Sequence, residues 1–344
     1  MRQLLIGDCH FGVYSNSVNW LEQQLVFFNT QFKDVLTTKN IQRVVFVGDL
    51  FDIRYSINQQ VGIEVKKLIR QFAEEFPNIQ FYFIAGNHDF YSPLEEFHSY
   101  NVYDLIFGDE FEKQYTNVKF ITYNSVFDKS TGDLFLPWYI TEDIQKIETE
   151  LFKIREDGYD VKNIFCHADL QHWDAAYKTV VNNKIQVWSG HIHYIWDVNN
   201  LHNTGAMFQF TFNDVNCSRY MYIIEDNICV ERIENTTTPK FKQYVNEEIF
   251  DLTKEHFDNT YVRLYIFNSN INKAKYIEQI KYIKNNYADY NIKIQTIDDS
   301  LGESFELTYF NTNIENYIIE NIPEYLSDKF NIVKEKIKQK EVEE

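Results

Sequence analysis

Five times within the first 193 residues, a short β-rich apolar run stops at side chains that bind metal. Residues 2–6 lead into Gly7-Asp8-Cys9-His10, and residues 43–47 lead into Gly48-Asp49-Leu50-Phe51-Asp52. Residues 79–85 lead into Gly86-Asn87-His88-Asp89, residues 161–166 into His167, and residues 185–188 into Ser189-Gly190-His191-Ile192-His193. Apolar runs of this length read as buried strands. Strand ends are where sheet proteins place chemistry, because a rigid scaffold there meets an accessible loop. Two histidines one residue apart reach a common point only from an extended or tightly turned backbone; a helix would splay them. Carboxylate, amide oxygen and imidazole together suit Mn2+, iron or Zn2+ rather than the thiolate shell of structural zinc. A single histidine pair at a strand end is usually a surface pair. Five motifs in series instead call for strands that deliver their ligands to one edge of a sheet.

The ordered set Asp-x-His, Gly-Asp-x-x-Asp, Gly-Asn-His-Asp, a lone His and Gly-His-x-His spans residues 8–193 and closely resembles the calcineurin-like metallophosphoesterase superfamily. Within it the chain looks most like the nuclease subunits of the SbcCD and meiotic recombination eleven type, close to the recombination endonuclease subunit of large phages. Asp8-Cys9-His10-Phe11-Gly12, the wording Gly48-Asp49-Leu50-Phe51-Asp52 and the length of 344 residues carry that narrower likeness. The resemblance implies an α/β fold: a four-layer αββα metallophosphoesterase sandwich with a small C-terminal α/β capping domain. It also implies two divalent metal ions, expected to be Mn2+. Asp8, His10 and His193 would hold one ion, Asn87, His167 and His191 the other, and Asp49 would bridge them. As implied catalytic residues, His88 would contact the phosphate and protonate the leaving oxygen, while Asp52 would hydrogen-bond to His88 and keep it cationic. Part of the nuclease family carries histidine where this chain has Asp52. The bland alternative for Asp52 is an N-cap for the helix that follows Ile57; Asp89 reads as a turn or supporting residue.

The net charge of −18 runs against a protein that grips DNA unaided, since phosphate neutralisation supplies most non-specific affinity. Two divalent ions would offset about four charges, and only locally. A DNA substrate therefore calls for a basic partner or a local basic groove. The cysteines Cys9, Cys166, Cys217 and Cys229 lack paired spacing, and Cys9 and Cys166 are expected to pack as small apolar groups. No apolar run approaches the roughly 20 residues of a membrane helix, and the N-terminus reads as a ligand-bearing strand rather than a cleavable signal. The expected location is cytoplasmic, in the host if the chain is phage-encoded.

Leu21, Leu25, Phe28, Phe32 and Val35 fall at helical spacing, as do Val61, Val65, Leu68, Ile69 and Phe72, and Ile140–Arg155 reads as a further helix. Alternating strands and helices open a layered α/β sheet. Short runs at 207–212, 220–224 and 228–233 suggest the antiparallel second sheet that the family implies. Asn235-Thr236-Thr237-Thr238-Pro239 is a linker. The expected divisions are residues 1–235 for the nuclease domain, 236–310 for a β-α-β capping domain and 311–344 for a helical tail. In the tail Leu326, Phe330, Val333 and Ile337 form an apolar stripe. It packs on its own domain or docks on a partner, two readings of equal weight.

Two functions compete. The first is a DNA exonuclease and endonuclease subunit, for which the resemblance implies a partner, an SbcC-like ABC ATPase with a coiled coil, and homodimerisation. The second is a metallophosphatase of a phosphoprotein or small phosphate ester. Such phosphatases place Arg directly after the second Asp of the Gly-Asp motif and Glu after Asn-His, where this chain has Ile53 and Asp89, with Arg54 one residue further on. A scaffold without catalysis is disfavoured because every expected ligand is present. His98, His172, His202 and His256 read as bystanders. Tyr14, Tyr91 and Trp173 follow ligand motifs and can stack on bases, although among 24 tyrosines chance placement is the stronger reading.

Overall fold

Alternate residues of the motif strands enter different cores, which is what a strand buried on both faces must do. In the computed structural model, which describes residues 1–52, 54–94, 99–170 and 184–297, β1 (Arg2–Ile6) sends Leu4 and Ile6 to one cluster and Leu5 to another. β2 (Arg43–Phe46) divides Val44 and Phe46 from Val45 in the same way. β3 (Gln80–Ile84) divides Phe81 and Phe83 from Ile84. In β6 (Asp133–Leu136), β7 (Asn163–Cys166) and β8 (Gln186–Ser189), Phe135, Phe165 and Trp188 join the cluster of Leu5 and Val45. Leu134, Leu136, Ile164, Cys166 and Val187 form a third cluster on the far side. The shared middle cluster is the seam between two stacked sheets.

The first sheet has the order β12-β11-β1-β2-β3-β4, with β4 at Val118–Ile121, β11 at Tyr220–Glu225 and β12 at Ile228–Glu234. The second has the order β5-β6-β7-β8-β10-β9, with β5 at Val126–Asp128, β9 at Trp196–Val198 and β10 at Leu201–Asn203. β1 to β4 run parallel, as do β6, β7, β8 and β10; the antiparallel pairs lie toward the edges. Helices Val18–Phe27 and Gln59–Glu75 cover the first sheet through Leu21, Val61, Val65, Leu68 and Phe72. Helix Ile144–Glu156 covers the second through Ile147, Leu151 and Ile154. The layers are helix, sheet, sheet and helix, the expected α/β sandwich.

Two expectations are corrected. The runs at 220–224 and 228–233 form a hairpin that extends the first sheet antiparallel to β1, and the run at 207–212 is not a strand. Alternation identifies a strand but not the sheet that receives it, and the pairing of β1 with β11 spans some 220 residues of chain. The ligand-bearing strands also do not share one sheet: β1, β2 and β3 belong to the first, β7 and β8 to the second.

Arg43 ties the sheets together. Buried at 3% side-chain exposure, its guanidinium reaches Asp133 Oδ2 at 2.8 Å and also pairs with Asp128, both on second-sheet strands. Asp133 accepts further from Gln3 Nε2 at 2.9 Å and Asn163 Nδ2 at 2.7 Å, so its charge is saturated. Cys9 and Cys166 are fully buried among apolar side chains.

Among the described residues, a second compact unit comprises Tyr244–Leu252 and residues 263–297. β13 (Lys240–Val245), β14 (Thr260–Phe267) and β15 (Asn291–Ile297) form a three-stranded sheet, and helix Ala274–Asn286 lies between the last two strands in sequence. Within this unit Tyr276 is buried and donates to Glu247 Oε1 at 2.8 Å, and Gln279 Nε2 donates to the Ile249 carbonyl at 2.7 Å. The expected tail at 311–344, with its apolar stripe, lies outside the described residues, as do Ile53, His98, His172 and Trp173. Among the described residues no helix is long and apolar enough to cross a membrane.

Candidate metal centre

The loops that leave β1, β2, β3, β7 and β8 bring all seven expected donors to one place. Asp8 Oδ2 lies 3.8 Å from His193 Nε2, which lies 3.0 Å from His10 Nε2. Beside this trio, Asp49 Oδ2 lies 3.3 Å from His167 Nε2, which lies 3.3 Å from His191 Nδ1. Asn87 Oδ1 stands 2.9 Å from both of those imidazole nitrogens. Ligands held about 2.1 Å from a shared ion lie roughly 3.0–3.5 Å from one another. The trio of Asp49, His167 and His191 matches that spacing; in the other, His10–His193 matches and Asp8–His193 at 3.8 Å is a little wider. Asp49 Oδ2 also lies 3.8 Å from His10 Nε2, so this one oxygen faces both trios, while Oδ1 accepts the His88 backbone N–H at 2.8 Å.

The backbone has been shaped around these groups. His10, Asp49 and His191 adopt positive φ of 47°, 45° and 80°. Left-handed backbone at non-glycine residues costs about 1–3 kcal/mol each and persists only where the surroundings enforce it. Glycines supply the room. A Cβ on Gly190 would stand 2.1 Å from Asp8 Oδ1, one on Gly86 2.2 Å from Asp49 Oδ1, and one on Gly48 2.1 Å from His167 Nδ1. Each of these three glycines is therefore an absence of side chain against which a donor rests.

Hydrogen bonds to the outer nitrogens fix which atoms face inward. His167 Nδ1 lies 2.9 Å from the Val47 carbonyl, so Nδ1–H donates there and Nε2 is left for a cation. His10 Nδ1 lies 3.2 Å from Asp52 Oδ1, an ion-pair distance that leaves Nε2 as the inward-facing nitrogen. This corrects the expected role of Asp52. Its carboxylate faces His10; His88 Nδ1 meets the Asp52 carbonyl oxygen instead, at 2.5 Å. Sequence spacing brings Asp52 near both rings but cannot tell which of its oxygens each ring will meet. Asp52 is not the helix cap either, because Asn58 accepts from Gln60 N at the start of Gln59–Glu75.

Asp89 takes the supporting place expected of it, as a clamp between two loops. Fully buried, it accepts from the backbone N–H groups of Gly86 (2.8 Å), Phe51 (3.0 Å) and Leu50 (3.3 Å), joining the β2 and β3 loops. Burial, with Asp49 nearby, pushes its carboxyl up to about 7.

Two buried carboxylates and several imidazoles compete for protons in this hollow. Burial pushes Asp8 up to about 6 against the pull of His167. Burial opposes charge on Asp49 as well, yet His167, His10 and His88 hold it well below the usual carboxylate range. His167 rises to about 9 because Asp49 and Asp8 outweigh its desolvation. His191 and His193 fall to about 4 through burial and through His167 and His10 respectively. Neutral imidazoles and ionised carboxylates are the forms that bind metal. The oxygen and nitrogen donors, the absence of thiolate among them and the glycine-lined hollow fit divalent cations. Asn87 can ligate with its oxygen toward the centre; with the amide reversed, Nδ2 faces the imidazoles and the oxygen accepts from Arg54 Nη2 at 2.5 Å.

The profile of the calcineurin-like phosphoesterase family matches residues 1–194, more than half the chain and the whole span of the donor motifs. The chain belongs to the calcineurin-like phosphoesterase family. This phosphoesterase is also similar to exonuclease subunit 1 of Enterobacteria phage T4, with 22% identity over 333 residues, covering 92% of each chain. A solved structure of the Pseudomonas putida nuclease MPE aligns with 64% of this chain and 84% of its own at 13% identity and a TM-score of 0.29, too loose a likeness to carry an argument. As a family member the phosphoesterase is a metal-dependent hydrolase of phosphate esters.

Of the remaining histidines, His202 is held between Asp197 and Gln186 and stacks on Trp188, a structural role. His256 Nδ1 accepts from Thr253 N at 3.1 Å within a short turn. Tyr14 stacks on Trp20 and donates to the Phe210 carbonyl.

Proposed function

We propose that this phosphoesterase is the nuclease subunit of a DNA-processing complex, hydrolysing phosphodiester bonds at a centre for two divalent ions, Mn2+ being the expected metal. The convergence of two donor trios on Asp49 Oδ2 is the observation that carries the reading. The match to a phage exonuclease subunit along 92% of both chains supports DNA as the substrate and an assembly as the working form. Asp8, His10 and His193 would hold one ion and Asn87, His167 and His191 the other, with Asp49 between. Bound there, divalent ions supply positive charge for the non-bridging phosphate oxygens and lower the pKa of water.

The chain's own residues do the rest. Asp52 holds His10 in the tautomer that turns Nε2 inward. The Asp49–His88 backbone hydrogen bond and the Asp52 carbonyl fix His88 beside the ligands, leaving its Nε2 to contact the phosphate and hand a proton to the departing oxygen. Asp89 keeps the two loops that carry Asp49 and Asn87 in register. An ABC ATPase of the SbcC type, with a coiled coil, would supply the DNA grip that a chain of net charge −18 lacks. The tail at 311–344 would be its docking segment, and the nuclease would act as a homodimer in end processing and recombination.

The competing reading is a phosphatase of phosphoproteins or small esters. Ile53 and Asp89 stand where such enzymes carry Arg and Glu, which favours the nuclease. Purified chain with Mn2+ is incubated with plasmid, single-stranded and blunt duplex DNA, beside para-nitrophenyl phosphate. Cleaved DNA is the expected result; a fully metallated sample that hydrolyses only the small ester, with its ATPase present, assigns the phosphatase. Removal of residues from Ser327 onward should abolish co-purification with the ATPase, and unchanged co-purification removes the docking role.

A further inference from the structure

His193 is held less by packing than the donors it faces. Its side chain is 41% exposed, whereas those of Asp8 and His10 are 0% and 3% exposed. It stands in the turn between β8 and β9, so its position has to come from the backbone beneath it. That backbone is gripped from both sheets. The carbonyls of Ile192 and Tyr194 both accept from Asn203 Nδ2, each at 2.6 Å, and Asn203 ends β10 of the second sheet. Between them the His193 carbonyl accepts from Arg219 Nη1, and Arg219 immediately precedes β11 of the first sheet. The Ala206 backbone N–H donates to the same carbonyl at 3.2 Å. Three successive carbonyls are thus taken by two side chains that are themselves buried. Buried donors need acceptors, so the bonds that satisfy Asn203 and Arg219 also shape the turn.

Arg219 is aimed by a second anchor. Its Nη2 pairs with Asp214, whose other oxygen accepts the backbone N–H groups of Phe210 and Thr211 at 2.8 Å each. A guanidinium presents its donors in fixed directions, so pairing one arm with Asp214 directs the other at the His193 carbonyl. Phe210, in the same segment, stands edge to face with His10 at 5.3 Å and tilted to His193 at 5.8 Å between centroids. Gly205 completes the fit, since a Cβ there would lie 2.9 Å from the His193 carbonyl oxygen. The donors of the other trio are placed by different contacts. His167 is set by the Val47 carbonyl and Asn87 by the loop that Asp89 clamps; His191 is set by its backbone N–H, which donates to Asp8 Oδ2 at 3.0 Å.

We infer, resting on the two-seat reading of the centre, that Arg219 and Asn203 are positioning residues that latch His193 and set the affinity of one cation seat, that of Asp8, His10 and His193. Loss of either donor leaves buried carbonyls unpaired and lets the turn at 192–194 relax toward solvent. His193 Nε2 then withdraws from Asp8 and His10. His191 keeps its backbone bond to Asp8 and its place beside His167, so one seat loosens while the other is retained.

Arg219→Lys keeps a buried cation beside Asp214 but loses the fork, and Asn203→Leu is close in size and loses both amide bonds. Chelator-stripped full chain is titrated calorimetrically with Mn2+, with circular dichroism beside it. Wild type should bind two ions. Each variant should bind one ion with wild-type affinity and the other about 10- to 100-fold more weakly, the usual effect of losing a partner that orients a ligand. Arg43→Met, which removes the buried cation bound to Asp133 and Asp128 instead, is the control. It should lower the unfolding midpoint and leave both affinities alone, as a merely structural role of Arg219 would. Isotope-labelled histidine ring nitrogens give a readout without metal: in both variants the His193 signals should move toward those of a solvated imidazole, and those of His167 should stay. Wild-type affinity at both seats, or equal loss at both, in either folded variant overturns the latch. Failure of both variants to fold overturns it too, because the two residues are then elements of stability alone. The two-seat reading fails separately, on the wild type: uptake of one ion or none removes it, and the His193 signals then still decide whether Arg219 and Asn203 position that ring.

Discussion

The sharpest test of the centre is Gly190→Ala, because it puts a methyl group in place of a hydrogen where the structure has no room to spare. The new Cβ would lie 2.1 Å from Asp8 Oδ1, 2.7 Å from the Val47 carbonyl oxygen and 3.1 Å from His167 Nδ1. Non-bonded carbon and oxygen rest at about 3.5 Å, so the Asp8 carboxylate must retreat by roughly 1 Å or more. Metal sites tolerate about 0.2 Å in ligand distance. The displacement is several times that tolerance and falls on a proposed ligand itself. Loss of supporting residues alone weakens metal binding about 10- to 100-fold, so the expected loss in Mn2+ affinity for Gly190→Ala is at least about 100-fold. The strain on the fold is smaller, about 1–3 kcal/mol for an overpacked site. Gly62→Ala is the control. It sits within helix Gln59–Glu75 with its nearest neighbour, Ile106 Cδ1, at 3.5 Å, and should leave metal binding alone while gaining about 0.5–1 kcal/mol of stability. Calorimetric titration of chelator-stripped protein with Mn2+, with circular dichroism beside it, reads both effects. Wild-type stoichiometry and affinity in Gly190→Ala would refute the packing argument for the centre.

His88→Ala should keep its metal content, measured by atomic emission, while DNA cleavage falls about 10²- to 10⁴-fold; loss of metal would make His88 a ligand instead. Asp52→Asn should lower Mn2+ affinity about 10- to 100-fold through His10, whose Nδ1 it faces at 3.2 Å, and an unchanged affinity would return Asp52 to the His88 side. Arg43→Met strips a buried cation from Asp133, whose side chain is 1% exposed, and should cost about 3–5 kcal/mol in denaturant unfolding; a loss under 1 kcal/mol would mean that Gln3 and Asn163 satisfy Asp133 alone.

The strands of the centre were legible because their apolar residues are consecutive and their donors stand immediately after them. That pattern needs only local geometry and marks the five loops; which seven of their side chains would be ligands is what the family resemblance implies. What lay beyond it depends on partners distant in sequence. Tyr220–Glu225 alternates in the way that a second-sheet strand would, and only its pairing with β1 reveals its sheet. Asp52 carries three oxygens within reach of two imidazoles, and the turn after β2 decides which meets which. Asp89 looked like any aspartate in a turn because its acceptors' partners, three backbone N–H groups on two loops, leave no trace in residue type.

Each donor trio draws on both halves of the sandwich. Asp8 and His10 follow β1 while His193 follows β8; Asp49 and Asn87 follow β2 and β3 while His167 and His191 follow β7 and β8. A cation seated in either trio is consequently a rivet through two layers that are otherwise joined by apolar contact and by Arg43. Occupancy and cohesion would then become one quantity: whatever strips a bound cation would also loosen the seam, and whatever slides one layer against the other would pull the donors apart.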